Sequence, residues 1–384
     1  MKQLLLLLFI SFPFPIMAQR TPTKDTTARM PSDTTLQKAP DAPPTKYKST
    51  KDPTKSFGIV VDQDFFTPQN EDRNYTMGLS FNFTAPITDK WYFGLPWLRN
   101  QVDWLFGLRE WHKYDGISVS GLQLFNGSFT PRNIESEVPV RDDRPYASIT
   151  ALSSSRLTYF GDNRDLTKQY AISSRLAIGI LGTRISEVFQ SWVHRQFFPK
   201  TRAEPVGWPT QISDGGEPTI LYQIQFIKPI FNVRPYDSNL KAIEASWLLE
   251  ANLGYYTNMA TGISFRLGRF SIPYWRMNHS SMTVSNQAAK DPKTDRKFEF
   301  NFFTQFRGRA VLYNALLTGQ FRKNEYELSR EQVNRFIVEA EAGLLVGFQK
   351  FTLVFEPYIL RTSEIALPLA RNHSWGSAAI TYSW

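Results

Sequence analysis

The sequence predicts an all-β fold: a transmembrane antiparallel β-barrel of about twelve strands, with a short helix in an extracellular loop. Three observations carry that expectation. The chain opens with an export signal, it alternates apolar and polar residues over stretches of about ten, and no later segment holds the roughly 18 consecutive apolar residues of a membrane-spanning helix.

Met1-Lys2-Gln3 gives a charged start, Leu4 to Ile16 an apolar centre, and Met17-Ala18-Gln19 a small residue where a signal peptidase cuts, so residues 1–18 read as a signal peptide. Residues 19–55 are rich in Thr, Pro, Lys and Asp. They hold too few large apolar side chains to offset the entropy of ordering, and are expected to be a disordered leader. The remaining stretch, 56–384, is one domain without a linker-like break. The chain has no cysteine, so backbone pairing and burial must supply its stability. Phe, Tyr and Trp number 30, 16 and 10 while mean hydropathy is only −0.34, which excludes a helical membrane protein. A large soluble β protein, or a barrel whose lipid-facing residues hide in alternation, remains. The net charge of +9 includes the leader lysines and suits an anionic lipid surface at least as well as nucleic acid. No phosphate-binding Gly-Lys loop and no histidine cluster supports a nucleotide or redox site, and no nucleic-acid partner is expected.

Within 56–384 the alternation is explicit. Phe298, Phe300, Phe302, Phe306, Ala310 and Leu312 share one parity, and Glu299, Asn301, Gln305, Arg307 and Arg309 the other, giving one face for lipid and one for a polar interior. The pattern recurs around Ile263 to Leu267, Ile172 to Ile180 and Phe336 to Phe348. The last of these meets Phe351 to Leu360 across a tight turn at Gln349-Lys350, expected to be periplasmic, while Phe197 to Gly216 and Met277 to Lys297 are expected to be extracellular loops. The final strand ends on Trp384, as in barrels that show such a strand to the outer-membrane insertion machinery.

Four histidines offer proton transfer near neutral pH, at positions 112, 194, 279 and 373. His194 lies in a segment without Gly or Pro, Ile185 to Arg195. There Gln190, four residues earlier, would share its helix face and could orient the imidazole or a reacting carbonyl. The same spacing also fits a loop helix that merely packs Val188, Phe189, Trp192 and Val193 on the barrel rim. Asp62 and Asp64, flanking Gln63, could supply hard oxygen ligands to a divalent cation, or could be a solvated turn. Thr76 shares parity with Ser80, Asn82 and Thr84, and is expected to face the barrel interior. Arg141-Asp142-Asp143-Arg144-Pro145-Tyr146-Ala147 reads as a turn held by ion pairs.

These pieces occur in a fixed order: Asp62-Gln63-Asp64-Phe65-Phe66, Asp72-Arg73-Asn74-Tyr75-Thr76-Met77-Gly78-Leu79, Phe129-Thr130-Pro131, Asp143-Arg144-Pro145-Tyr146-Ala147, Gln190 with His194, and Gly207-Trp208 with Gln211. The ordered set resembles the outer-membrane lipid A 3′-O-deacylases and their relatives, from about Phe57 to Trp384. The resemblance implies a barrel of about twelve strands in the outer membrane of a Gram-negative bacterium, with a site beside an outer-loop helix. It implies calcium-dependent hydrolysis of an ester-linked acyl chain of lipid A, the lipopolysaccharide anchor. It further implies His194 as base, Gln190 as its helix neighbour, and Thr76 and Asp64 as site residues; Asp64 and Asp62 are the candidate cation ligands on their own spacing. Gln63 stands where the family usually has Asn, one methylene longer. Arg132 and Glu217 are the nearest matches to the family's remaining charged site residues. An outer-membrane phospholipase, with a Ser or Thr nucleophile such as Ser80 or Thr76, and a non-catalytic porin or structural barrel are the alternatives.

Overall fold

The computed structural model describes residues 55–64, 74–89, 94–108, 117–160, 168–200, 202–233, 242–270, 278–280, 284–286, 298–366 and 370–384. The expected signal peptide over 1–18 and the expected leader over 19–55, except its last residue, lie outside the described residues, as do Phe65, Phe66, Asp72 and Arg73 of the quoted motifs.

Twelve antiparallel strands close into a barrel: β1 (Ser56–Gln63), β2 (Asn74–Thr84), β3 (Ile117–Thr130), β4 (Ala147–Phe160), β5 (Tyr170–Leu181), β6 (Glu217–Val233), β7 (Ala242–Gly254), β8 (Tyr256–Arg269), β11 (Phe298–Asn314), β12 (Phe336–Phe348), β13 (Phe351–Arg361) and β14 (His373–Ser383). Each pairs with its neighbour in the chain, and β1 pairs with both β2 and β14, so the barrel leaves no edge unpaired. Two three-residue strands, β9 (Asn278–Ser280) and β10 (Val284–Asn286), form a separate hairpin.

The alternation read from the sequence sorts inside from outside. On β11 the Phe298, Phe300, Phe302 and Phe306 rings are exposed, while Glu299, Asn301, Gln305, Arg307 and Arg309 are buried in the barrel. That arrangement is inverted relative to a soluble protein and marks the outer wall as the lipid contact. The interior is filled with paired charge. Arg309 donates to Glu339 at 3.2 Å and to Glu250 at 2.8 Å, and Arg361 reaches Glu339 at 2.8 Å. Arg307 lies 3.5 Å from Glu339 as well.

Strand pairing defines two rims. Ser56, Thr84, Phe348, Phe351 and Ser383 mark the chain-end rim; Gln63, Thr130, Leu181, Glu217 and His373 mark the opposite one. The connection holding Met277 to Lys297 leaves β8 at Arg269 and returns at Phe298, on the rim of the Gln349-Lys350 turn. The expectation that it lies across the membrane from that turn is therefore corrected. Its length misled, because the opposite rim carries a tight turn of its own at Gly254-Tyr255, made with Gly254 at φ 140°.

Besides short 3-10 turns, the described residues hold three α-helices: α1 (Leu95–Leu105), α2 (Ile185–Phe197) and a single turn, α3 (Ala315–Thr318). No helix among the described residues is long and apolar enough to cross a membrane. Both longer helices lie against the outside of the barrel. On β3 to β6 the outward positions include the exposed Leu124, Leu152, Ile178, Ile180 and Ile220. On the same outward parity Ser128 and Asn126 meet α2, whereas Ser154, Ser174 and Tyr222 meet α1.

Candidate functional site

Helix α2 covers the part of the outer wall nearest the opposite rim. Its segment lacks Gly and Pro, and its last turn is closed by the Phe198 N–H donating to the His194 carbonyl at 3.0 Å. Ser186, Gln190, Ser191 and His194 are its buried residues, whereas Ile185, Val188, Trp192 and Phe197 are exposed. A helix that buries its hydroxyls, amide and imidazole and exposes its apolar side chains is built for an apolar surrounding. Ser186 fixes its start, accepting from Ser128 at 2.7 Å and donating to Asn126 at 3.2 Å. Phe189, Trp192 and Phe197 form a run of ring contacts along the apolar face, with centroids 5.7 and 5.6 Å apart.

His194 is 3% exposed, and its Nδ1 lies 2.6 Å from the Ala203 carbonyl oxygen. A carbonyl can only accept, so the proton sits on Nδ1 and the basic lone pair of the neutral ring is on Nε2. Gln190 is oriented by the same logic. The Trp208 indole N–H, a donor only, points at Gln190 Oε1 at 2.9 Å and thereby fixes which end of the amide is oxygen.

Trp208 and Ala203 pack with Ile134 and Tyr146 in a small buried cluster. Tyr146 lies 5.0 Å from the Trp208 ring and its hydroxyl donates to the Ile134 carbonyl at 3.1 Å. Gly207 is required here, because a Cβ at that position would run into the Tyr146 ring and the Ser136 carbonyl. The turn at 141–146 is held as expected by charge and by backbone bonds. Asp143 accepts from the Arg132 N–H at 2.7 Å and pairs with Arg371, and Arg144 lies 3.6 Å from Glu364. Burial pushes the Arg144 guanidinium down to about 10, which leaves it charged at neutral pH. Two motifs whose role the sequence left open thus form the platform under Gln190 and His194.

Asp64 joins the same loop from the other side. Its Oδ1 is 3.4 Å from Arg202 Nη2, and Arg202 immediately precedes Ala203, the anchor of His194. The Arg202 guanidinium also lies 5.1 Å over the Phe198 ring. A further pair, Arg195 with Glu204, ties the helix end to the loop beside Ala203, and first the Arg195 hydrogen bond holds the Glu204 carboxyl below its usual range. Spacing alone singled out neither Arg202 nor Glu204, since both lie in a polar loop with no periodic signal.

Thr76 corrects an expectation. Tyr75 faces Phe129 of β3 and Met77 faces Ser128, so Thr76 is the extra residue of a β-bulge. Simple alternation would send it into the barrel. The bulge turns it outward instead, with its Oγ1 2.6 Å from Thr130 Oγ1, on the parity of Leu122 and Leu124. Tyr75 takes the inward place and donates to Asp62 Oδ2 at 2.8 Å. Gln63 pairs with Met77 on the outward parity of Phe57, Ile59 and Val61. The wall therefore divides the expected set: Gln63, Thr76, Gln190 and His194 belong to the outer face and its helix, Asp64 to the loop through Arg202, and Asp62 to the interior. Glu217, one of the two charged positions left open by the resemblance, clamps a rim loop instead, accepting from the Phe321 and Arg322 N–H groups at 2.7 and 3.1 Å. The Arg132 side chain is exposed.

The family model described as outer membrane protein LpxR matches residues 4–384. No curated protein matches the chain in sequence. Among solved structures, LpxR from Salmonella typhimurium aligns at 14% identity over 86% of this chain and 100% of that one, with a TM-score of 0.63, a likeness of fold. The β domain of the Bordetella autotransporter BrkA (10% identity, 87% and 100% covered) and the NalP translocator domain of Neisseria meningitidis (8%, 88% and 90%) have TM-scores of only 0.38 and 0.35. A family match over nearly the whole length, on a closed twelve-strand barrel with a lipid-facing wall, places this chain in the LpxR family of Gram-negative outer-membrane proteins.

Proposed function

We propose that the protein is a lipid A deacylase-like carboxylic ester hydrolase, with His194 as the base that activates water and lipopolysaccharide of the outer leaflet as substrate. One observation carries the reading: a buried histidine with a fixed tautomer sits on the polar face of a helix whose other face is apolar and turned to the membrane. A lipid ester could reach such a site from the bilayer without entering the barrel. The rim bearing α2 then faces outward, and the chain-end rim faces the periplasm, where the terminal strand would meet the insertion machinery.

In the proposed reaction, water attacks the ester carbonyl carbon as Nε2 of His194 takes its proton. The tetrahedral oxyanion is stabilised by donors such as the Gln190 amide and the Thr76 hydroxyl, with Gln63 on the same outer face. Collapse breaks the bond to the sugar oxygen, which leaves with the proton returned by His194, giving a free fatty acid and a lipid A hydroxyl. No acyl-enzyme is required, which separates this route from a phospholipase with a Ser or Thr nucleophile.

The calcium implied by the resemblance does not fit the residues described. Asp62 is engaged by the Tyr75 hydroxyl inside the barrel, and Asp64 already faces the Arg202 guanidinium. No group of three acidic or histidine side chains that could hold a metal occurs among the described residues. The local positive charge is Arg202, so no step is assigned to a metal.

The test is lipid A mass spectrometry with purified barrel and lipopolysaccharide. His194→Ala is expected to fold, run as a heat-modifiable barrel on gels and release no fatty acid. Full activity in that variant would refute the reading.

A further inference from the structure

The outer wall of β4 to β6 carries a second polar patch, in the half of the barrel nearer the chain-end rim. Ser154, Ser174, Leu176 and Tyr222 share the outward parity of the lipid-exposed Leu152, Ile178 and Ile220, yet all four are buried. Arg156, on the same parity, is largely covered. Left bare, an arginine and these hydroxyls would interrupt the apolar band.

Helix α1 lies over them. Arg99, fully buried, donates to Ser154 Oγ at 3.1 Å and to Asp89 Oδ1 at 2.8 Å. Asp103 accepts from Tyr222 at 2.6 Å and from Ser174 at 3.0 Å, and lies 3.7 Å from Arg99. Asp89, on the short turn before the helix, also pairs with Arg156. Every charge on the buried side of α1 thus has an opposite charge or a hydroxyl across the interface. At the far end Phe106 stacks on Tyr222 at 5.0 Å, and Leu108 packs with Phe160 and Ile172 of the outer wall.

The other side of α1 is exposed and, apart from Gln101, apolar: Trp97 at 47%, Trp104 at 53% and Leu105 at 59%. As in α2, the usual burial order is reversed, although α1 lies at the other end of the wall and belongs to no part of the candidate site. The exposed face continues the apolar band of β4 to β6 beside it, which is the membrane contact of an outer-membrane barrel. Tryptophan is the side chain preferred where acyl chains meet headgroups.

We infer that α1 is an in-plane membrane helix, docked through Arg99 and Asp103 on the barrel wall, with Trp97, Trp104 and Leu105 in the phospholipid leaflet on the chain-end side. It completes the apolar surface where the strands expose polar side chains. Its partner is phospholipid, not protein, because the exposed tryptophans and leucine of α1 lie beside the outward apolar side chains of β4 to β6 that the bilayer covers.

The absence of cysteine makes the test direct. Leu105→Cys and, separately, Trp97→Cys are labelled with a nitroxide, and the barrel is reconstituted in phosphatidylethanolamine–phosphatidylglycerol vesicles. Collisions with oxygen, which concentrates in lipid, are compared with collisions with a water-soluble nickel chelate. Phe302→Cys on the lipid-facing wall and Lys350→Cys at the rim turn are the references. Both α1 labels are expected to behave like Phe302→Cys, with oxygen favoured over nickel. Nickel favoured as at Lys350→Cys would overturn the inference. So would labels shielded from both reagents, which would mean a protein partner or a second barrel on that face.

Discussion

Trp208→Phe tests whether the loop platform orients the helix residues of the site. The substitution removes one donor, the indole N–H that points at Gln190 Oε1 at 2.9 Å, from a side chain with no solvent exposure. The amide oxygen of Gln190, itself 2% exposed, then loses that partner. Leaving a buried acceptor short of a hydrogen bond costs about 1–3 kcal/mol, and the smaller ring leaves a gap worth roughly 1 kcal/mol more. A total loss of about 2–4 kcal/mol is expected in urea unfolding of the barrel in micelles. Gln190→Leu should cost a similar amount by stranding the Trp208 N–H. The double variant strands neither group, so its loss should fall short of the sum by about 1–3 kcal/mol. In deacylation the single Trp208→Phe change frees the amide to rotate, and a misplacement of about 1 Å costs roughly a hundredfold in kcat. KM should hardly move, because the apolar face of α2 is untouched. Additive losses, with a coupling below about 0.5 kcal/mol, together with full kcat would refute the reasoning.

Three further outcomes follow from other contacts. Arg202→Gln removes the guanidinium from Asp64 and should slow deacylation roughly ten- to hundredfold, equivalent to about 1.4–2.8 kcal/mol of barrier; chelation of the wild type should change little, and activity abolished by chelator and restored by calcium would return the metal to the site at the expense of that pair. Glu339→Gln leaves Arg307, Arg309 and Arg361 facing one another inside the barrel without their shared carboxylate, and should destabilise it by about 3–5 kcal/mol, read as an earlier heat-induced gel shift. At Asp89 burial alone would raise the carboxyl, but Arg156 and Arg99 outweigh it and hold it below 3.8. A lowered folded value stabilises the docked α1 above the ordinary aspartate range and is lost only as pH falls through that lowered value. With Arg99 and Arg156 facing the group, a nitroxide at Leu105→Cys should keep its lipid signature at pH about 5 and lose it only well below pH about 4.

The strands were legible because a closed barrel gives every residue one of two surroundings. Phe300 and Arg309 differ in parity by necessity, and that period survives without any long-range information. Where a single residue is inserted, the period fails silently. Thr76 reads as inward by counting from Ser80, and only the pairing of Tyr75 with Phe129 and Met77 with Ser128 reveals the bulge that turns it out. Rims were half legible: the turn at Gln349-Lys350 is short, but so is Gly254-Tyr255 on the other side, and loop length cannot orient a barrel whose tight turns fall on both ends. Of the candidate site, helical spacing and the scarcity of histidine pointed to Gln190 and His194. They did not point to Arg202, whose contact is with Asp64, just past the end of β1 and 138 residues away in the chain.

Helix α1 was missed for a reason that also explains the site. Amphipathic helices are recognised by an apolar stripe that packs inward, and in α1 and α2 that stripe looks outward while Arg99, Asp103, Gln190 and His194 look in. In water such helices would fall away from the wall, since burying polar side chains gains little and exposing tryptophan costs. In a bilayer the signs reverse. An unpaired polar group on the wall is expensive there, and the helix that satisfies it also replaces it with an apolar surface. The same physics therefore serves two ends on one wall. Toward the chain-end rim the covered groups are paired with one another, Arg99 with Asp89, and Asp103 with Tyr222 and Ser174. Toward the opposite rim the covered groups include an imidazole whose basic nitrogen is set by a carbonyl at its other side, and a fixed amide beside it. A barrel that has to act on a lipid gains from placing its polar chemistry under a helix on the outside, where the substrate already lies, instead of in an interior filled with paired charge.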